Sequence, residues 1–194
     1  KTIIGITLAV IVALAAFGGV VQIAKICEKL VPFMALFYLG ACLFVVSANY
    51  RQLPTAFGVI FHSAFQFRSA AGGVLGYTFA GAVRFGVSRG IFTNEAGLGS
   101  APIAHGSAAA ESPVKQGMWG IFEVFFDTVV MCTLTALVIL TSGLWDSGLN
   151  GAALTTAAFS SAIGKYASGF IAVSTAFFAL ASMLGWYYYG VCCR

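Results

Sequence analysis

The residues able to do chemistry in this chain are few and widely spaced. Thr93-Asn94-Glu95, followed by Gly97 and Gly99, forms a polar, glycine-rich hinge with one carboxylate between apolar stretches. Backbone groups at such a break must be satisfied by water or protein, as between the spans of a multi-pass membrane protein. Glu95 suits capping a helix or ordering the hinge better than it suits direct ligation. Glu123 and Asp127 stand four apart, which puts both on one helical face. There they would act as cation ligands or a proton site, or simply face a polar helix end. Arg68 lies mid-way along an apolar run, beside Gln66, Ser69 and Gly72-Gly73. An arginine at that depth costs about 2.5–3.5 kcal/mol, so it must face a cavity, a partner or an interface. Ser182 and Trp186 are four apart, above Tyr187-Tyr188-Tyr189. By spacing alone, such a serine bonds its own helix, and the aromatic residues anchor a span at the membrane interface.

Other chemistries are poorly supplied. The five cysteines form no CxxC pair, and His62 and His105 are far apart, so no metal site is expected. No nucleophile, base and orienting group converge in sequence, which argues against an enzyme. The net charge is +4, but the basic residues are scattered, with no cluster that would suit nucleic acid.

These residues sit in a chain built for lipid. It is 60% hydrophobic and 8% charged, with mean hydropathy +0.95, against about 25% charged residues in a globular domain. The fold class expected is all-α, a polytopic membrane bundle. Continuous apolar runs rather than short alternations exclude barrel strands. Spans are predicted at about 2–24, 30–50, 53–83, 117–140 and 169–189, with a hinge over 84–116 and an outer loop over 141–168. Pro32 would fall in the first turn of the second span. Leu149 to Ile163 reads as a short helix at the outer face, either a lid or a packing element. Lys25, Lys29, Arg84, Arg89, Lys115 and Arg194 fall on one side and Lys1, Arg51 and Lys165 on the other. The richer side is expected to be cytoplasmic. The chain opens on Lys1 directly into an apolar run and reads as a fragment of something longer.

The third run is too long for one straight crossing. With Arg68 and Gly72-Gly73 at its middle, it reads as a discontinuous helix, the device by which many secondary transporters expose backbone groups to substrate and cation. Close packing through Gly72-x-x-x-Gly76 is the alternative.

The segment Gly86-Val87-Ser88-Arg89-Gly90-Ile91-Phe92-Thr93-Asn94-Glu95-Ala96-Gly97-Leu98-Gly99-Ser100-Ala101-Pro102-Ile103-Ala104 closely resembles the signature of the sodium:alanine symporter family. Pro113-Val114-Lys115-Gln116-Gly117, Phe126-Asp127-Thr128, Leu149-Asn150-Gly151-Ala152 and Gly185-Trp186-Tyr187-Tyr188-Tyr189-Gly190 extend the match in order. The resemblance implies two inverted five-helix repeats in the cytoplasmic membrane, and symport of alanine or glycine with sodium or sometimes protons. It implies no cofactor, sodium being co-transported. It also implies that Phe65, Gln66, Gly72 and Gly73 line the substrate, that Ser182 contacts substrate or sodium, and that Trp186 stands near the pocket. Ala181 replaces a common threonine, Val191 stands where a glutamate is frequent, and Glu123 is not a usual family residue. A symporter of another amino acid or organic solute on the same fold is the nearest rival, and a channel subunit is a more distant one.

Overall fold

The computed structural model describes residues 2–65, 72–95 and 98–194; of 2–4, 16, 20, 63–65, 72–80 and 82 only the backbone is described. Among these residues every regular element is helical. The helices are α1 (Thr2–Phe17), α2 (Gly19–Ala48), α3 (Leu53–Phe65), α4 (Gly72–Asn94), α5 (Ser100–Gly106), α6 (Pro113–Val124), α7 (Cys132–Ser142), α8 (Gly151–Ile163) and α9 (Ala167–Cys192). A π-helical turn, Phe125–Met131, joins α6 to α7 without a break.

Val21–Ala48, Pro113–Ser142 and Gly151–Cys192 are each long and apolar enough to cross a membrane. Their mean hydropathies are 2.2, 2.1 and 1.8. The chain exposes 13122 Å², where a compact soluble protein of 20.2 kDa would expose roughly 8,800 Å². The excess is apolar: Phe17, Leu14, Leu36, Phe44 and Ile121 are all exposed. A surface of that kind belongs in lipid or against further helices.

Helix boundaries depart from the sequence reading in three places. The first connection falls at Gly18-Gly19, not at 25–29. Gly19 takes φ +74, open to glycine at little cost, and the Gln22 side chain lies where a Cβ on Gly18 would be. The helix then runs unbroken past Lys25, Glu28 and Lys29, whose side chains can reach water from a helix surface. Pro32 therefore lies inside α2 rather than in a first turn. There it removes one backbone donor, a loss that neighbouring groups can make good in a membrane helix. Third, α4 stays helical past Arg84 and Arg89 to Asn94, so the hinge begins later than residue 84.

Among the described residues two packed clusters hold the bundle. In the first, Cys42 and Val45 of α2, Val138 of α7, Ala158 and Phe159 of α8, and Ala167 and Ile171 of α9 are buried together. Aromatic rings surround them: Phe159 lies 5.3 Å from Phe170 and 5.9 Å from Tyr38, between centroids. The Tyr38 and Thr135 hydroxyls bond at 3.1 Å, linking α2 to α7. In the second cluster Ala15, Ile23 and Leu184 bring α1, α2 and α9 together. Between lipid-exposed helices this packing rests on shape and dispersion rather than on escape from water. The early part of α2 meets the late part of α9, and the late part of α2 meets the start of α9, so the two are antiparallel. The helix read from the outer loop is α8, and it is a packed element, with Phe159 wholly buried.

Candidate functional site

The hinge is built on two left-handed backbone positions. Glu95 follows the last residue of α4 with φ 54, and Gly99 precedes α5 with φ 88. Leu98 N–H donates to the Glu95 carbonyl at 3.1 Å, closing the turn. A left-handed residue after a helix is usually glycine or asparagine. A glutamate there costs about 1–2 kcal/mol, and its contacts must hold it.

One of those contacts comes from α9. Tyr189 donates its hydroxyl to Glu95 Oε2 at 3.3 Å. One residue earlier, Tyr188 bonds the Ser107 hydroxyl just beyond α5. On α4 itself, Thr93 Oγ1 donates to the Arg89 carbonyl at 2.9 Å, and Asn94 Nδ2 donates to Thr128 Oγ1 at 3.1 Å. The last bond fixes the end of α4 to the π-helical turn. The hinge is thus tied on one side to α9 and on the other to the Pro113–Ser142 span.

Between hinge and α9 lies a cavity of about 380 Å³, lined by Phe92, Thr93, Glu95, Leu98, Ser182 and Trp186. Four residues singled out in sequence, Thr93, Glu95, Ser182 and Trp186, meet here. Ser182 makes no hydrogen bond among the described residues, and Trp186 is 58% exposed. The indole ring packs edge-on against Tyr189, with centroids 5.9 Å apart. Asn94 stands beside the cavity rather than in its wall, held by Thr128. Phe65 ends α3, and Gly72 and Gly73 open α4; Gln66, Arg68 and Gly97 lie outside the described residues.

Glu123, at the end of α6, and Asp127, in the π turn, lie across the junction of the two. Glu123 reaches outward to His105, Oε2 to Nε2 at 3.3 Å. Gln116 Nε2 meets the other ring nitrogen of His105 at 2.7 Å, and the imidazole lies over Gly120, where a Cβ would meet Nε2 at 3.3 Å. This set joins α5 to α6. Asp127 Oδ2 is buried without a partner among the described residues.

Sequence reasoning missed Tyr188 and Tyr189, which it placed as interfacial anchors, and the His105–Gln116–Glu123 set. Hydrogen bonds across 94 residues leave no periodic trace. Among the described residues no three His, Cys, Asp or Glu gather as a metal site.

A family model for the "Sodium:alanine symporter family" matches residues 1–193. The chain belongs to the sodium:alanine symporter family. Among its relatives, the "Probable sodium/glutamine symporter GlnT" of Bacillus subtilis is 45% identical over 96% of this chain and 38% of its own length. The "Uncharacterized transporter YflA" of the same organism is 42% identical over 98% of this chain and 41% of its own. The "Sodium/alanine symporter AgcS" of Methanococcus maripaludis is 40% identical over 98% and 42%. The chain spans about two-fifths of the length of these relatives. Membership in the sodium:alanine symporter family, with three stretches able to cross a membrane, makes this a multi-pass membrane protein of a transporter family and not an enzyme. The family's name makes sodium a transported ion rather than a resident cofactor.

Proposed function

We propose that the whole protein carries out sodium-driven symport of a small neutral amino acid, alanine or glycine, across the cell membrane. The observation that carries this reading is the cavity itself. In a chain matched end to end by the sodium:alanine symporter model, Ser182 and Trp186 of α9 face Thr93 and Glu95 of the hinge across one space. About 380 Å³ suits a small amino acid with water. In this reading the run 53–83 is a discontinuous helix opening the second of two inverted repeats, Phe65, Gln66, Gly72 and Gly73 line the substrate, and Ser182 also touches sodium. Transport follows from alternating access: sodium and substrate together stabilise an occluded state that neither favours alone.

A second reading, glutamine or another neutral amino acid as substrate, is favoured by the 45% identity to a relative named a probable sodium/glutamine symporter. Uptake into vesicles containing the whole protein tests both. Labelled alanine should accumulate with an inward sodium gradient and stop when the gradient is collapsed. Glycine should compete strongly and glutamine weakly. Dominant competition by glutamine selects the second reading, and uptake indifferent to sodium and proton gradients overturns symport.

A further inference from the structure

One flank of α2 holds a second hollow, apart from the cavity at the hinge. Its volume is about 480 Å³, and Gln22, Lys25, Ile26, Lys29, Leu30 and Phe33 line it. These six recur at steps of three and four, so they share one side of the helix. The polar groups are two ammoniums and an amide, with no carboxylate in the wall. Among the described residues the ion pairs are His105–Glu123 and Lys115–Glu111, and neither lysine takes part. Glu28 stands about 60° and 100° around the helix from them. Like charges four apart on a helix repel, and an anion held between them removes that cost. Position along the helix sets where such an anion stands. Residues 30–48 carry no charge and extend about 28 Å, close to the ~30 Å hydrocarbon core of a bilayer. Lys25 and Lys29 therefore stand just outside that core, at the level of lipid phosphates. Below them the same flank is apolar and open. Phe33, Leu36, Phe37 and Phe44 are exposed, and a Cβ on Gly40 would meet nothing within 4 Å. The Phe33 and Phe37 rings stack with centroids 6.1 Å apart, and Phe177 of α9 meets Phe33 edge-on at 5.9 Å. From Phe33 to Phe44 the stripe runs about 16 Å, the depth of one leaflet of the core.

We propose that this flank of α2 binds an anionic phospholipid. The phosphate lies between Lys25 and Lys29, Gln22 donates to a headgroup oxygen, and an acyl chain follows Phe33, Leu36, Gly40 and Phe44. Charge selects the headgroup: a zwitterionic lipid would bring its own cation against two ammoniums, whereas an anionic one is attracted to them. The stripe selects a lipid over a soluble anion, since free phosphate would use the lysines and leave the apolar wall empty. A helix from elsewhere in the whole protein would need an acid at this same level. Neither lysine lines the hinge cavity, so lipid binding and symport can fail separately.

Binding of radiolabelled phosphatidylglycerol to the whole protein in detergent decides the matter. Unlabelled phosphatidylglycerol should displace the label about tenfold more effectively than phosphatidylcholine, and inorganic phosphate should not displace it. Lys25→Gln combined with Lys29→Gln should lower affinity by about fivefold or more. Lys165→Gln, at the opposite end of the bundle, should leave it unchanged. Gly40→Leu keeps both charges and fills the stripe, so it should lower affinity by roughly threefold or more through the acyl chain alone. Should the double lysine variant not yield folded protein, Gly40→Leu decides. Equal displacement by phosphatidylcholine, or wild-type affinity in the double variant, overturns the proposal; both are expected if another helix of the protein covers this flank. Displacement by inorganic phosphate, or an unchanged affinity in Gly40→Leu, makes the lysines a site for a headgroup-sized anion and overturns the lipid assignment. A fall in Lys165→Gln as large as in the double variant reports general attraction to a basic protein and overturns the site.

Discussion

Two serines on α9 show how the setting of a side chain decides its use. Ser174 is buried at 3% exposure, and its hydroxyl has no partner among the described residues. Ser182, two turns on, opens into the cavity. Ser174→Ala removes a polar atom that gains nothing from burial, so folded yield should hold or rise and transport should persist. Ser182→Ala removes an oxygen from a site holding a charge, a loss of about 1.5 kcal/mol or roughly tenfold in affinity. The sodium concentration for half-maximal uptake, measured on both variants, checks this; equal, small shifts would remove Ser182 from the site. The two serines are indistinguishable by local spacing, and only the family resemblance separated them in sequence. Glu95 was legible as a hinge residue. Its bond to Tyr189 was not, because hydropathy and spacing carry no information about contacts between distant segments.

At the scale of elements, apolar length was readable, and caps and register were not. Ser112 before Pro113 marks the start of α6, and its hydroxyl accepts from Lys115 N–H at 3.2 Å. The π turn was hidden, because one extra residue in a turn leaves an apolar stretch apolar. The outer helix α8 was visible from Leu149 to Ile163, but whether it packs depended on Phe159, which lies wholly buried among Tyr38 and Phe170. Phe159→Ala should cost about 3 kcal/mol, because the surrounding rings cannot fill the space. A thermal melt in detergent should shift downward by several degrees, with the sodium dependence of the surviving protein unchanged. An unaltered melt would mean that α8 is not part of the core.

For the whole molecule, composition alone indicated the class, since a chain with so few charges cannot cover a soluble surface. Sidedness is the open matter that the fold makes testable. The hinge, the start of α6 and the late part of α9 are bonded to one another at one end, while α8 packs on the starting half of α9. Lys25, Lys29, Arg89 and Lys115 belong to the hinge end, which the positive-inside rule assigns to the cytoplasm. Cysteine substitutions report this directly. Glu111→Cys, before α6, should react with an impermeant maleimide only in inside-out vesicles. Asp146→Cys, in the turn after α7, should react only in right-side-out ones, with native cysteines as the baseline. The reverse pattern would invert the topology while leaving the fold as it is.

Leu184 lies midway between Ser182 and Trp186 in sequence, about 200° around the helix from each. It is 1% exposed and wedged against Ala15 and Ile23, beside the Gly18-Gly19 bend. One rigid rod therefore presents its two cavity residues on one flank and a fitted peg on the other. Any roll of α9 that widens the cavity must withdraw the peg from its socket. A turn of α9 about its axis would therefore move the cavity wall and the α1–α2 contact together.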